Sequence, residues 1–165
     1  MTKVVVKESS IQGKGVFALI DIRAGEEVLE IDDTHVVKDG VCLTKHQQEF
    51  ECDYLDNGKV VLMQPPEVYI NHSCDPSVYT KTTNGIRKVI AMRNISKGEE
   101  ITYDYSMNGD NEGTFRCGCG SENCRKIYQG NFFKLPEDLQ KKYLPYLDGW
   151  FVVKYKEKIG DLRNK

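Results

Sequence analysis

The sequence predicts a mostly β domain of several small sheets, with short helices and a C-terminal helix, and three observations carry that reading. Short runs rich in Val, Ile, Phe and Tyr recur through the first hundred or so residues, each closed by a turn signal. A cysteine- and glycine-rich stretch follows, from 108 to 124, with almost nothing to bury. The remainder carries one helix signature and several aromatic residues. At 165 residues and 39% hydrophobic composition, the chain is long enough for one sizeable core. The expected organisation is a β domain over residues 1–110, a cysteine-rich segment over 111–130 and a helical extension over 131–165.

In chain order, KVVVKES, GVFALI, EEVLEI, RKVIAMRNI and EEITYDY each read as a strand, because branched and aromatic side chains suit a pleated surface. Residues 49–63 read as a hairpin: Phe50, Cys52 and Tyr54 share a face, Asn57-Gly58 supplies the turn, and Val60 and Leu62 resume the strand. Cys52 is expected in the core. Gln64-Pro65-Pro66-Glu67 breaks the regularity, which places Asn71 and His72 on a loop or short turn. In PEDLQKKYL, Pro136 marks a first helical turn, Glu137 and Asp138 sit near its positive end, and Pro145 stops it. Leu139 and Tyr143 share one face of that helix. The extension is either an arm packed on the core or a lid or dimer contact. His35 and His46 lack partner motifs and are read as surface or loop residues.

Lys and Arg number 23 against 25 Asp and Glu, and a net charge of -2 offers no electrostatic footprint for nucleic acid. No run of 18 apolar residues is present, and the first ten residues lack the apolar region of a secretory signal. The expectation is an intracellular protein, nuclear or cytoplasmic, without a membrane partner. Six cysteines in a reducing compartment point to metal rather than disulfides. Cys117, Cys119 and Cys124 form C-x-C-x4-C, with Gly118 and Gly120 allowing the backbone to wrap an ion. Structural zinc takes four ligands, and Cys74, in Asn71-His72-Ser73-Cys74-Asp75-Pro76, is the candidate fourth; Cys42 and Cys52 are the spares.

These motifs, taken in order, resemble those of SET-domain protein lysine methyltransferases. The Asn71–Pro76 loop, the strand Glu100-Ile101-Thr102-Tyr103-Asp104-Tyr105 and the cysteine run as a post-SET zinc segment all fit, and Gly13-Lys14-Gly15-Val16-Phe17 with Ala24-Gly25-Glu26 resembles the family's opening motif. The resemblance covers roughly residues 3 to 130. It implies a β-clip-like SET fold in which a later segment threads the 71–76 loop as a pseudoknot. It also implies S-adenosylmethionine as methyl donor and one structural zinc ion. Gly13, Lys14 and Gly15 would meet that cofactor through the main chain, with Asn71 and His72 at its adenine edge and amino acid end. Asn71's side chain could instead bond only to backbone.

The chemistry centres on Tyr105, with cofactor contact and a catalytic role both implied. Free lysine has a pKa near 10.4, so making it neutral at pH 7 costs roughly 4 to 5 kcal/mol. A dry channel lowers that cost, and a tyrosine hydroxyl orients the amine's lone pair. Tyr103, two residues earlier, matches the position where the family alternates Phe and Tyr to set how many methyl groups are added; a tyrosine there implies a low methylation state. Asp104 faces the other way, into a hydrogen bond or ion pair. Val68, Ser77 and Ile31 depart from the family pattern, and Tyr54, Tyr69 or Tyr79 is the expected substitute for the missing channel wall. Acidic clusters at 26–33 and 49–56 would attract a lysine-bearing basic peptide, such as a histone tail, or form only a solvated face. The alternatives are a catalytically silent SET fold acting as a peptide-binding scaffold and a zinc module on an unrelated fold.

Overall fold

A computed structural model describes the backbone of residues 2–55 and 58–164, and the side chains of all of these except Glu49 and Phe50. The strands are β1 (Val4–Glu8), β2 (Lys14–Ala18), β3 (Glu27–Glu30), β4 (Cys52–Tyr54), β5 (Val60–Leu62), β6 (Asn71–His72), β7 (Val78–Thr83), β8 (Ile86–Ala91), β9 (Glu100–Tyr103), β10 (Asp110–Arg116) and β11 (Ile127–Asn131). Each of the five β-rich runs contains one of them. The main sheet has the order β1-β2-β9-β7-β8-β3, with β6 paired on β9, and two small sheets join β10 to β11 and β4 to β5. The β7–β8 hairpin closes on Asn84-Gly85, both at positive φ, as a tight two-residue turn between twisted strands requires.

The register around β9 places the functional motifs. It runs antiparallel to β2, with Val16 opposite Ile101, and parallel to β6, with Asn71 opposite Thr102 and His72 opposite Tyr103. Ser73 N–H donates to the Tyr103 carbonyl at 3.0 Å and Ser77 N–H to that of Thr102 at 2.9 Å. Segment 71–78 therefore lies against segment 100–103, although the paired residues are 25 to 31 positions apart in the chain. Val16, Ile22, Val78, Val89, Ile95 and Ile101 fill the core beneath this sheet.

Several expectations need correction. Asn71 and His72, expected on a loop or short turn, form the two-residue strand β6, because their backbone pairs in parallel with β9. Residues 49–51 of the expected 49–63 hairpin belong to a π-helical turn (Gln47–Glu51), so the hairpin begins at Cys52. Its buried residue is Val61, opposite Asp53, whereas Tyr54 is exposed and Cys52 only half-buried. A hairpin lying on the sheet by one face buries alternate residues, and the buried set here is the other one. Asn57 of the expected turn and the Phe50 side chain lie outside the described residues.

The extension contains three helices, α1 (Glu137–Tyr143), α2 (Gly149–Lys154) and α3 (Lys156–Asn164), where one was expected. Phe132, Tyr143, Leu147, Phe151 and Ile159 bury completely with Met107 in a second core. Each such side chain contributes about 1.5–3 kcal/mol relative to exposure. The segment is thus held by hydrophobic burial over its whole length.

Glu67 gives a pH test of the fold. It is buried in a short 3-10 turn (Glu67–Tyr69) and accepts N–H bonds from Asp32 and Gln64 at 3.2 and 3.3 Å. Burial pushes its carboxyl from 4.5 up to about 7, against the pull of those N–H groups and of Arg87. The unfolded chain ionises this group from pH 4.5 while the folded one keeps the proton to about pH 7. Stability should therefore fall by about 3 kcal/mol as pH rises through that window. Glu67→Gln is expected to remove this slope, measured as denaturant midpoints at either end of the window; an unchanged slope would assign it elsewhere.

Candidate active site and metal centre

The Gly13–Gly15 turn is held from beneath. Asn71 Nδ2 lies 3.2 Å from the Gln12 carbonyl, 3.0 Å from that of Lys14 and 2.8 Å from Glu100 Oε1, and the Glu100 carboxylate also accepts from Ser9 Oγ. Asn71's amide nitrogen is thus committed to backbone and to Glu100, the structural alternative of the two open for it. At Gly15 a Cβ would lie 2.2 Å from Glu100 Oε1, so a side chain there would displace the Glu100 carboxylate from Asn71. Gly13 is different, with φ +47° and open space where a Cβ would project, so its backbone turns freely toward solvent. Lys14 is exposed, with Nζ 5.3 Å from the centre of the Tyr69 ring.

His72 is buried one residue further on. Its Nδ1 accepts the Tyr105 N–H at 3.2 Å, which leaves the proton on Nε2, facing the Cys74 sulfur at 3.6 Å. Burial pushes the imidazole down to about 4, so it stays neutral. The rings of Tyr105, Tyr128 and Phe115 surround it at 5.3, 5.2 and 5.7 Å between centres. β9 ends at Tyr103, so Tyr105 sits in the following turn rather than on the strand. Its ring is 38% exposed as a residue, yet its hydroxyl turns inward and donates to the Ile70 carbonyl at 2.6 Å. The Tyr103 ring lies 6.2 Å away, and its hydroxyl donates to the Met107 carbonyl at 2.7 Å. Burial raises both phenols above their ordinary value, so both remain protonated.

Asp104, between the two tyrosines, faces the opposite side and is fully buried. Arg125 grips it with both Nη atoms at 2.6 and 2.9 Å, and Tyr143 donates its hydroxyl to Oδ2 at 2.8 Å. Burial alone would raise this carboxyl, but the Arg125 guanidinium holds it below the usual carboxylate range. Sequence reasoning anticipated a polar role for Asp104 and missed both partners. Partners 21 and 39 residues away carry no local pattern.

The cysteine group closes the site from the C-terminal side. The sulfurs of Cys74, Cys117, Cys119 and Cys124 all lie within 4.8 Å of one another, with Cys74 and Cys117 at 3.7 Å. A tetrahedral zinc with bonds of about 2.3 Å sets its thiolates roughly 3.8 Å apart, so the donor set fits that ion in number, chemistry and spacing. Arg125 N–H points at the Cys74 sulfur at 3.4 Å, and His72 Nε2 does so from the other side. Such outer contacts fix a thiolate's orientation. Cys42 is exposed and, like Cys52, lies outside the group.

The departures also find places. The Ser77 hydroxyl accepts the Thr102 N–H at 3.0 Å in full burial, and Ile31 packs against the first core. Of the suggested channel residues, Tyr54 is exposed on its hairpin, Tyr79 meets Tyr146 edge-on at 5.1 Å between ring centres and Tyr69 packs on the first core. None of the three lies within ring contact of Tyr105 among the described residues.

Comparison with known proteins agrees with this geometry. The SET domain family profile matches residues 13–106. Among curated relatives, the histone-lysine N-methyltransferase trithorax of Drosophila virilis is 33% identical over 136 residues, covering 73% of this chain and 3% of that protein. Human histone-lysine N-methyltransferase 2B is 30% identical over 137 residues, 74% of this chain and 5% of its own. The chain spans only 2–9% of the length of such relatives. Among solved structures, a candidate histone methyltransferase from Plasmodium falciparum superposes with a TM-score of 0.53 at 26% identity, covering 64% of this chain and 94% of its own. An active polycomb repressive complex 2 gives 0.52 at 27%, over 64% of this chain and 15% of its own. With its Asn71–Pro76 loop paired to the Glu100–Tyr105 segment and its cysteines gathered on Cys74, this chain belongs to the SET-domain family.

Proposed function

We propose that this chain methylates the lysine ε-amine of a protein substrate. S-adenosylmethionine, when bound, supplies the electrophilic methyl group. Gly13, Lys14 and Gly15 would hold it by main-chain groups, with the backbone at Asn71 and His72 and the exposed aromatic faces of Tyr105 and Phe115 completing the seat. Asn71's amide positions the 12–14 turn rather than touching the ligand. Cys74, Cys117, Cys119 and Cys124 would hold one zinc ion that orders this wall.

A single observation carries the reading: the Tyr105 hydroxyl gives its proton to the Ile70 carbonyl at 2.6 Å while its own N–H is fixed on His72. With its hydrogen committed, the phenol oxygen has only lone pairs to offer an incoming amine. It accepts an N–H and thereby aims the nitrogen lone pair away from itself. Raised above its ordinary pKa, this phenol is no general base, so the amine must lose its proton to water before it enters. We read residues 1–110 as the SET domain, 111–130 as the post-SET zinc segment and 131–165 as the extension. The substrate is a basic tail, a histone or another basic protein met in the nucleus or cytoplasm.

The test is transfer of labelled methyl from the cofactor to mixed histones, with calorimetry for cofactor binding. Binding with transfer supports the enzyme; no transfer, with cofactor binding also absent, rejects it and leaves the silent peptide-binding scaffold. Tyr103 should restrict the product to a low methylation state, because its hydroxyl occupies space that a rotated methylamine needs. Tyr103→Phe is expected to shift products towards di- and trimethyl-lysine by mass spectrometry; an unchanged distribution would remove Tyr103 from that role.

A further inference from the structure

We propose that Tyr143, on helix α1 of the extension, is a positioning residue that clamps the cysteine segment to the Tyr103–Tyr105 segment at the end of β9. The proposal rests on the methyltransferase reading only for its kinetic consequence. Asp104 Oδ2 takes the Tyr143 hydroxyl and Arg125 Nη1, while Oδ1 takes Arg125 Nη2 at 2.9 Å and the Ser106 N–H at 3.1 Å. Every bonding direction of this buried carboxylate is therefore filled, and Asp104 is flanked by Tyr103 and Tyr105. Arg125 directly follows Cys124, and its own N–H points to the Cys74 sulfur at 3.4 Å. Arg125 Nε has no partner among the described residues, so the grip depends on the two Nη atoms alone.

The Tyr143 hydroxyl decides whether that grip holds its register. Tyr143 is fully buried in the second core, and its ring cannot swing away. Without the hydroxyl, one lone pair of Asp104 stays unsatisfied in a site closed to water, and the carboxylate can rotate about its terminal torsion. Arg125 would follow, carrying the backbone N–H away from Cys74 and loosening the wall formed by residues 115–128. A family-level zinc site would thus depend, in this chain, on a residue from outside both the SET and cysteine segments.

The experiment compares zinc release to a chromogenic chelator from the full chain and from Tyr143→Phe, Arg125→Lys and Leu139→Ala. Tyr143→Phe keeps the ring and removes one charge-assisted hydrogen bond, and should accelerate release about tenfold. Arg125→Lys keeps the charge without the fork and should do the same, which preserves the test if Tyr143→Phe fails to fold. Leu139→Ala, which trims the second core without touching Asp104, should lower the melting temperature but leave release near the parent rate. Release from Tyr143→Phe at the parent rate, or equal acceleration by Leu139→Ala, would overturn the clamp. In the methyl-transfer assay, Tyr143→Phe should raise KM for the cofactor more than it lowers kcat. If the parent chain transfers no methyl while the release pattern holds, the clamp stands and the enzymatic reading falls.

Discussion

Tyr105→Phe is expected to lower kcat by about 10²–10³-fold, the usual loss when one aimed polar group is removed from a water-poor site. Cofactor affinity should change by no more than about threefold, since the ring and its N–H bond to His72 survive the substitution. The asymmetry follows from the position of the hydroxyl. It hangs on the Ile70 carbonyl, immediately before the Asn71–His72 strand, so the phenol bridges the two chain segments that the parallel pairing of β6 and β9 brings together. Phenylalanine leaves the Ile70 carbonyl without its partner and leaves the amine free to rotate in the channel. Parallel loss of affinity and turnover, read by calorimetry and steady-state kinetics, would mean that Tyr105 serves only the cofactor pocket.

Stripping the metal is expected to have the largest effect on structure. Structural zinc binds with an apparent free energy of roughly 10–16 kcal/mol in small zinc-dependent peptides, far above what residues 110–127 can offer by burial. Every residue of β10 is exposed, so burial does little to hold that strand; besides the thiolates it has its pairing with β11, the Phe115–Tyr128 stack at 4.4 Å and surface ion pairs at Asp110 and Glu112. Elemental analysis should find about one zinc per chain. Cys74→Ser should hold well under one, and Cys52→Ser, altering a residue outside the group, should retain the full amount. Chelation should abolish hydrogen-exchange protection across 110–131 while leaving that of the main sheet, whose core shares no residue with the cysteine group. Full zinc retention in Cys74→Ser would refute the four-cysteine centre.

Features with local physical signatures were readable from the sequence. Runs such as EEVLEI and RKVIAMRNI announce strands through side-chain shape, and the cysteine spacing announces a metal through ligand chemistry. Cys74 was legible because a tetrahedron needs a fourth corner. Features set by long-range packing were not. Nothing in the alternation of Cys52 and Tyr54 says which face turns inward, and it is the face of Val61 and Asp53, the latter paired with Arg87 of β8. The turn at Asn84-Gly85 carried a usable hairpin signal, since Asn-Gly between two apolar runs is among the strongest such patterns. Gly15 reads as a ligand-facing glycine, and no local pattern says that it also makes room for Glu100, a neighbour 85 positions on. Arg125 and Tyr143 look like ordinary surface and core residues until the fold places them on one carboxylate.

The most direct test is a crystal structure of the chain with S-adenosylhomocysteine and a lysine-bearing basic peptide. The lysine nitrogen is expected within hydrogen-bond reach of the Tyr105 hydroxyl, about 2.6–3.2 Å, and the thioether sulfur in line beyond it. A peptide seated with its lysine away from Tyr105, or a cofactor bound on a face remote from His72, would contradict that arrangement.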